Sequence, residues 1–229
     1  MPDPVLLITG ASRGIGAATA RAAAGAGYRV ALLARSAEAL QDLADELGGP
    51  DRALALACDV ADWDAQAAAV AATLDTFGRL DAAFANAGVG ASRGFLAESV
   101  DHWRDMVLAN VLGAALTIRA TIPALKDSRG HLLVTGSVAG HKPTPGSLYS
   151  ATKAAARSMA EAARLELHGS GVRVTVVSPG TVDTPFYDDA PGNDPLLAED
   201  VAEAVVFALT RPPRVNVNEI LVRPTTQEF

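Results

Sequence analysis

The chain has one cysteine, Cys58, in 229 residues, so no intrachain disulfide can form and a reducing, cytoplasmic setting is expected. Its neighbours Leu54, Ala55, Leu56 and Ala57 read as a strand, which makes Cys58 a buried, inert thiol rather than a nucleophile. Positive charge is in deficit: 19 Lys and Arg face 26 Asp and Glu, a net charge of -7. With no basic patch, a nucleic-acid partner is excluded. The four histidines, His102, His131, His141 and His168, are scattered, and no His/Cys/Asp group has metal-ligand spacing, so no metal is expected. His141 reads as a solvated loop residue. Long apolar runs are missing too. No stretch approaches the roughly 20 residues of a membrane span, so no membrane partner is expected. Met1-Pro2-Asp3-Pro4 carries no positive leader, and Val5 to Ile8 is too short for a signal peptide.

What the chain does have is a regular alternation. Hydrophobic residues make up 49%, and short apolar runs alternate with Ala-rich helical stretches without a long linker or charge block. Strands are expected at Val5 to Thr9, Arg29 to Ala34, Arg52 to Ala57, Asp81 to Ala85, His131 to Gly136, Arg173 to Val177 and Glu219 to Val222. Helices are expected at Ile15 to Ala26, Ala37 to Leu47, Asp62 to Phe77, Val100 to Leu125 (one or two helices), Ser147 to His168 and Ala198 to Leu209. Strands separated by helices pair in parallel, with helices on both faces, and continuously apolar strands are buried on both sides. The expected fold is α/β: a single Rossmann-like doubly wound domain over residues 1–229, with a seven-stranded parallel sheet flanked by helices on both faces. Ala-rich tracts such as Ala67 to Ala72 are helix formers that allow close packing, with no further role.

Thr9-Gly10-Ala11-Ser12-Arg13-Gly14-Ile15-Gly16 joins the first strand to the first helix. Glycines there permit a tight turn and let backbone N–H groups approach a pyrophosphate, which a helix N-terminus also attracts. Further on, Tyr149 and Lys153 stand four residues apart, just over one helical turn, so phenol and ammonium share a face. A positive charge beside a phenol favours the phenolate and lowers its pKa from about 10, which suits it to give or take a proton near neutral pH. Ser137 ends the fifth strand, and a loop can fold its hydroxyl back toward that of Tyr149.

The glycine loop, Asn86-Ala87-Gly88, Asn110, Ser137, Tyr149-x-x-x-Lys153 and Pro179-Gly180 together resemble the ordered motif set of the short-chain dehydrogenase/reductase family over nearly the whole chain. The segment Asn218-Glu219-Ile220-Leu221-Val222-Arg223-Pro224-Thr225 is similar to a branch that includes NADP-dependent 3-hydroxy acid (serine-type) dehydrogenases. The resemblance implies an oxidoreductase that moves a hydride between NADP(H) and a small carbonyl or alcohol. Tyr149 would be its general acid/base, with Ser137, Lys153 and Asn110 in support, Asn110 holding a water that links Lys153 to solvent. It implies that Gly10, Ser12, Arg13, Gly14, Ile15 and Gly16 cradle the cofactor. Asp59 and Val60 would hold its adenine, Asn86, Ala87 and Gly88 would line its ribose region, and Pro179, Gly180 and Thr181 would orient its nicotinamide.

Cofactor choice rests on the end of the second strand. A carboxylate there would bond the ribose hydroxyls of NAD and repel the 2'-phosphate of NADP, but Ala34 stands in its place. Arg35 follows it and Arg13 lies in the glycine loop, so two guanidiniums can converge on a phosphate, and NADP is expected. The segment 182–197, with Thr184, Phe186, Tyr187, Asp188, Asp189 and Ala190, is expected to form a short substrate lid. Lys142 or Arg93 would offset its carboxylates for an acidic substrate. A homotetramer or dimer built on the helices Val100 to Leu125 and Ser147 to His168, through Ala114, Ala155 and Met159, is also expected. The competing reading is an NADP-binding redox sensor or assembly protein without turnover, for which the complete Asn110, Ser137, Tyr149, Lys153 set would be unnecessary.

Overall fold

The computed structural model describes residues 3–90, 92, 94–186, 191–192 and 194–228. Nine strands and seven α-helices follow one another in these residues: β1 (Val5–Thr9), α1 (Gly14–Gly25), β2 (Arg29–Ala34), α2 (Ala37–Glu46), β3 (Ala53–Ala57), α3 (Trp63–Phe77) and β4 (Ala82–Ala85). Then come α4 (Val100–Val107), α5 (Ala114–Ser128), β5 (His131–Thr135), α6 (Leu148–Glu166), β6 (Arg173–Pro179), β7 (Val182–Asp183), β8 (Leu196–Leu197), α7 (Ala198–Leu209) and β9 (Glu219–Val222). Seven strands form a parallel sheet in the order β3-β2-β1-β4-β5-β6-β9. The order reverses between β1 and β4, so the loops leaving these two strands diverge and open a crevice at the C-terminal edge of the sheet.

The pleat explains why both faces carry helices. Side chains alternate across a strand. Leu7, Leu33, Ala83, Leu132 and Val176 point to one face and pack with Phe77 of α3, Ile118 and Leu125 of α5, and Ala156 and Ala160 of α6. Leu6, Ile8, Leu32, Phe84 and Val177 point to the other and pack with Ala20 of α1, Leu40 and Leu43 of α2, and Val201 and Val205 of α7. Phe84 and the large aliphatics around it are fully buried, each contributing about 1.5–3 kcal/mol. Small alanines on α1 and α6 let those helices sit close to the sheet.

Three features go beyond or against the sequence expectations. The long helix is continuous from Val100 to Ser128 and, by length and composition alone, is apolar enough to cross a membrane, contrary to the expectation that no stretch is. Here it packs along the sheet through Ile118, Ala124 and Leu125. It also passes through one π turn, Leu108–Gly113, between α4 and α5. Lastly, Ala114 is buried and Met159 packs on the core, so two of the three residues assigned to a subunit interface face inward. The exposed apolar side chains of that helix are Val100, Val107, Leu108 and Leu112.

Candidate active site

The loops leaving β1 to β6 enclose one cavity of about 1000 Å³ at the C-terminal edge of the sheet. Of the residues expected at the site, all but Gly16 and Asn110 line it: Gly10, Ser12, Arg13, Gly14, Ile15, Arg35, Asp59, Val60, Asn86, Ala87, Gly88, Ser137, Tyr149, Lys153, Pro179, Gly180 and Thr181.

Gly16 lies behind the wall and explains the loop's composition. A Cβ there would come 2.1 Å from the Gly10 carbonyl oxygen and 2.9 Å from Asn86 Nδ2, so only glycine lets the first turn of α1 close on β1. Asn86 ties the loop down. Its Nδ2 donates to the Thr9 carbonyl at 3.0 Å, its backbone N–H donates to Thr9 Oγ1 at 3.0 Å, and its Oδ1 accepts from Thr135 Oγ1 at 3.1 Å. One amide thus joins the ends of β1, β4 and β5. Helix α1 opens after Arg13 with no side-chain cap, which leaves its first backbone N–H groups for a ligand at the positive end of the helix. This uncapped terminus beside a glycine-rich loop fits a pyrophosphate.

Arg13, in the glycine loop, and Ala34 and Arg35, at the end of β2, all line the cavity. Asp59 accepts a hydrogen bond from the Ala61 N–H at 2.9 Å, while the cap of α3 is Asp62, which accepts from Ala65. Cys58 is buried, and burial together with Asp59 and Asp62 pushes its thiol up to about 11, as an inert side chain requires.

Another part of the cavity wall is built on α6. Ser147 caps that helix, accepting from the Ser150 N–H, and so sets Tyr149 and Lys153 in its first turns. The Lys153 ammonium is buried, donates to the Thr135 carbonyl at 3.0 Å and lies 5.7 Å from the Tyr149 ring centre. Burial pushes its pKa down to about 8. The charged form still predominates at pH 7. Ser137 is buried and accepts from the Ala139 N–H at 3.1 Å, which leaves its O–H available as a donor.

Asn110 sits in the π turn and reaches the cavity only through others. Its Oδ1 accepts from the Val89 N–H at 2.8 Å, and its Nδ2 donates to the Val89 carbonyl at 2.9 Å and to Thr152 Oγ1 at 3.1 Å. The side chain thus locks the loop after β4 onto α6. Both amide protons are used in these bonds, so a water held here would donate to an Asn110 oxygen.

Residues 4–193 match the family model described as short chain dehydrogenase. The chain belongs to this family. It is 37% identical to an uncharacterized oxidoreductase of Staphylococcus epidermidis over 226 residues, 97% of each chain. An alcohol dehydrogenase from the archaeon Thermococcus sibiricus, solved with 5-hydroxy-NADP, superposes with a TM-score of 0.91 at 35% identity, covering 98% of this chain and 97% of that one. A closed form of serine dehydrogenase complexed with NADP+ gives a TM-score of 0.90 at 32% identity, covering 98% and 96%.

In this short-chain dehydrogenase the cavity also takes in Phe186 and Lys142, named with the lid, and residues the sequence did not single out, among them Gln227. Phe186 packs edge-on against Tyr149, ring centres 5.8 Å apart, and fills the space a side chain at Gly90 would need: a Cβ there would lie 2.7 Å from the ring. Gln227, near the end of the chain, lines the cavity and accepts from the Thr181 N–H at 2.8 Å. Asp105, Val138 and Thr144 also line it, as does Lys142, while Arg93, Tyr187, Asp188, Asp189 and Ala190 lie outside the described residues. His141 is not simply solvated: its Nε2 meets Glu219 Oε1 at 2.6 Å. His131 is buried against Thr175 Oγ1 at 2.7 Å. No group of three metal-ligating side chains occurs among the described residues.

Proposed function

We propose that the chain is an NADP-dependent carbonyl reductase or alcohol dehydrogenase acting on a small substrate, with Tyr149 as its general acid/base. One observation carries the reading: a single cavity runs from Arg13 and Arg35 to Ser137, Tyr149 and Lys153. The uncapped start of α1 and the glycine-rich loop would hold a pyrophosphate, and Arg13 and Arg35, with Ala34 in place of a carboxylate, would hold a 2'-phosphate. The NADP complexes of the similar alcohol and serine dehydrogenases support this choice.

When bound, the cofactor supplies the hydride in reduction and accepts it in oxidation. In reduction, Tyr149 gives its phenolic proton to the substrate oxygen while Ser137 donates a hydrogen bond to the same atom. The Lys153 ammonium stabilises the tyrosinate left behind and would donate to the nicotinamide ribose hydroxyls. Asn110 keeps α6 and the loop after β4 in register for this. Asp59 and Val60 would border the adenine, Asn86 to Gly88 the ribose, and Pro179 to Thr181 the nicotinamide. The segment 182–197 would be the lid, and Phe186 its contact with Tyr149. We place the enzyme in the cytoplasm as a homodimer or homotetramer, through the exposed Val100, Val107, Leu108 and Leu112 rather than Ala114 and Met159.

The test is a steady-state panel of small neutral ketones, diketones, aldehydes and β-hydroxy acids with NADPH and NADP, beside titrations of NADPH and NADH. Turnover of small substrates and at least about tenfold tighter NADPH binding are expected. Binding of NADPH without turnover of any panel member would instead favour the redox-sensor reading.

A further inference from the structure

Ser137 is held from both sides by groups remote in sequence. On one side, the Gly136 N–H donates to the Val177 carbonyl at 2.8 Å, and a Cβ at Gly136 would lie 2.5 Å from Ser178 Oγ, so strand β6 presses directly against the residue before Ser137. On the other, the chain turns at once into a single 3-10 turn, Val138–Gly140. That turn packs on the backbone of Lys153: a Cβ at Gly140 would lie 2.8 Å from the Lys153 carbonyl carbon.

Both sides converge on one carboxylate. Glu219 Oε1, at the start of β9, accepts from Ser178 Oγ at 2.8 Å, from His141 Nε2 at 2.6 Å and from Arg157 Nε at 3.3 Å. Arg157 also reaches from its Nη1 to the Gly140 carbonyl at 3.4 Å. Arg157 stands one helical step beyond Lys153 on α6, as Lys153 stands beyond Tyr149, so the three share a face of the helix. Burial alone would raise the Glu219 carboxyl, but the hydrogen bonds from Ser178, His141 and Arg157 outweigh it and hold the group below the usual carboxylate range.

We propose that Glu219, with Arg157 and His141, is a positioning residue that fixes Ser137 relative to Tyr149 and Lys153. The carboxylate touches neither the reacting atoms nor the cavity wall. It works by pinning the turn after Ser137 to the helix that carries Tyr149, so that the two hydroxyls meet one substrate oxygen. A hydroxyl displaced by a fraction of an ångström donates a weaker hydrogen bond in the transition state, which lowers kcat more than it weakens binding. The inference rests on the catalytic reading of Ser137 given above.

A double-mutant cycle separates the two ideas. Wild type, Ser137→Ala, Glu219→Ala, Glu219→Gln and the double alanine variant are compared for kcat and KM on the best substrate of the panel, and for NADPH affinity. Glu219→Ala should lower kcat about tenfold with NADPH affinity within about twofold, and Glu219→Gln, whose amide oxygen still accepts from Ser178 and Arg157, should restore most of it. In the Ser137→Ala background the same change should cost less than about twofold. Equal losses in both backgrounds, or NADPH affinity falling in step with kcat, would overturn the positioning role. A Ser137→Ala enzyme as fast as wild type would instead sink the catalytic reading itself. If Glu219→Ala fails to fold, His141→Ala removes one tether alone. Its smaller loss of kcat should likewise vanish without Ser137, and its persistence there would contradict the proposal.

Discussion

Lys153→Met keeps most of the side chain's length and bulk but removes an ammonium that burial disfavours. The folded-state pKa of about 8, against 10.5 for a free lysine, corresponds to about 3 kcal/mol spent at most on keeping the charge inside. The shift is downward, so between these two pKa values the unfolded chain binds more protons than the folded one. Stability therefore rises with pH across that window: the contribution is fully present above about 10.5 and lost as pH falls through about 8. Integrated between about pH 7 and pH 9.5, wild type should gain about 2 kcal/mol relative to Lys153→Met. At pH 7 the variant also forfeits the charged hydrogen bond to the Thr135 carbonyl, about 2 kcal/mol, so relief and loss partly offset there. Urea unfolding of both proteins at several pH values reads the difference, and turnover of the variant should be lost throughout. Parallel stability curves, or a wild-type curve that falls relative to the variant above pH 8, would refute the claim that this site holds a charge against its own burial.

Three further outcomes are expected. Arg35→Asp should narrow or invert the preference for NADPH over NADH, since it replaces a guanidinium with a carboxylate on the cavity wall; an unchanged ratio of the two affinities would remove the assignment. Burial, with Arg173 nearby, pushes His131 down to about 3, so its contribution is present above about pH 6.5 and lost as pH falls toward 3. Between about pH 7 and pH 4 wild type should lose about 3 kcal/mol more than His131→Gln, measured by thermal or urea unfolding, and equal losses would contradict this. Phe186→Ala should extend turnover to bulkier ketones, whereas Gly90→Val, which pushes into the same ring, should cut turnover of all substrates; an unchanged size profile in both would separate Phe186 from specificity.

The strands were legible because a strand covered on both faces is continuously apolar, and β1, β2 and β9 fall where the residue pattern placed them. The glycine loop and the Tyr149–Lys153 pair were legible because their chemistry depends on local spacing. The π turn at Leu108–Gly113 carries no residue signature, and β7 and β8 are two residues each, too short for any periodicity. Gln227 and Glu219 escaped notice as site residues for another reason. Each meets its partner more than forty positions away, Thr181 for one and Ser178 for the other, and one sequence carries no record of such pairings. Asn110 was found by resemblance, yet its amide turned out to be engaged by Val89 and Thr152, which spacing alone does not reveal. Ala114 was assigned to an interface where helical periodicity is ambiguous, because a small side chain suits a sheet-facing position as well as a subunit contact.

Tyr149→Phe tests the central claim most directly, because it removes one oxygen and leaves the ring against Phe186 and Lys153 in place. NADPH affinity, titrated by fluorescence, and turnover of the best panel substrate should be measured on the same preparation. The account predicts affinity near that of wild type and kcat lower by at least about a hundredfold. A variant that binds NADPH and still turns over at most of the wild-type rate would show that Tyr149 is not the proton donor.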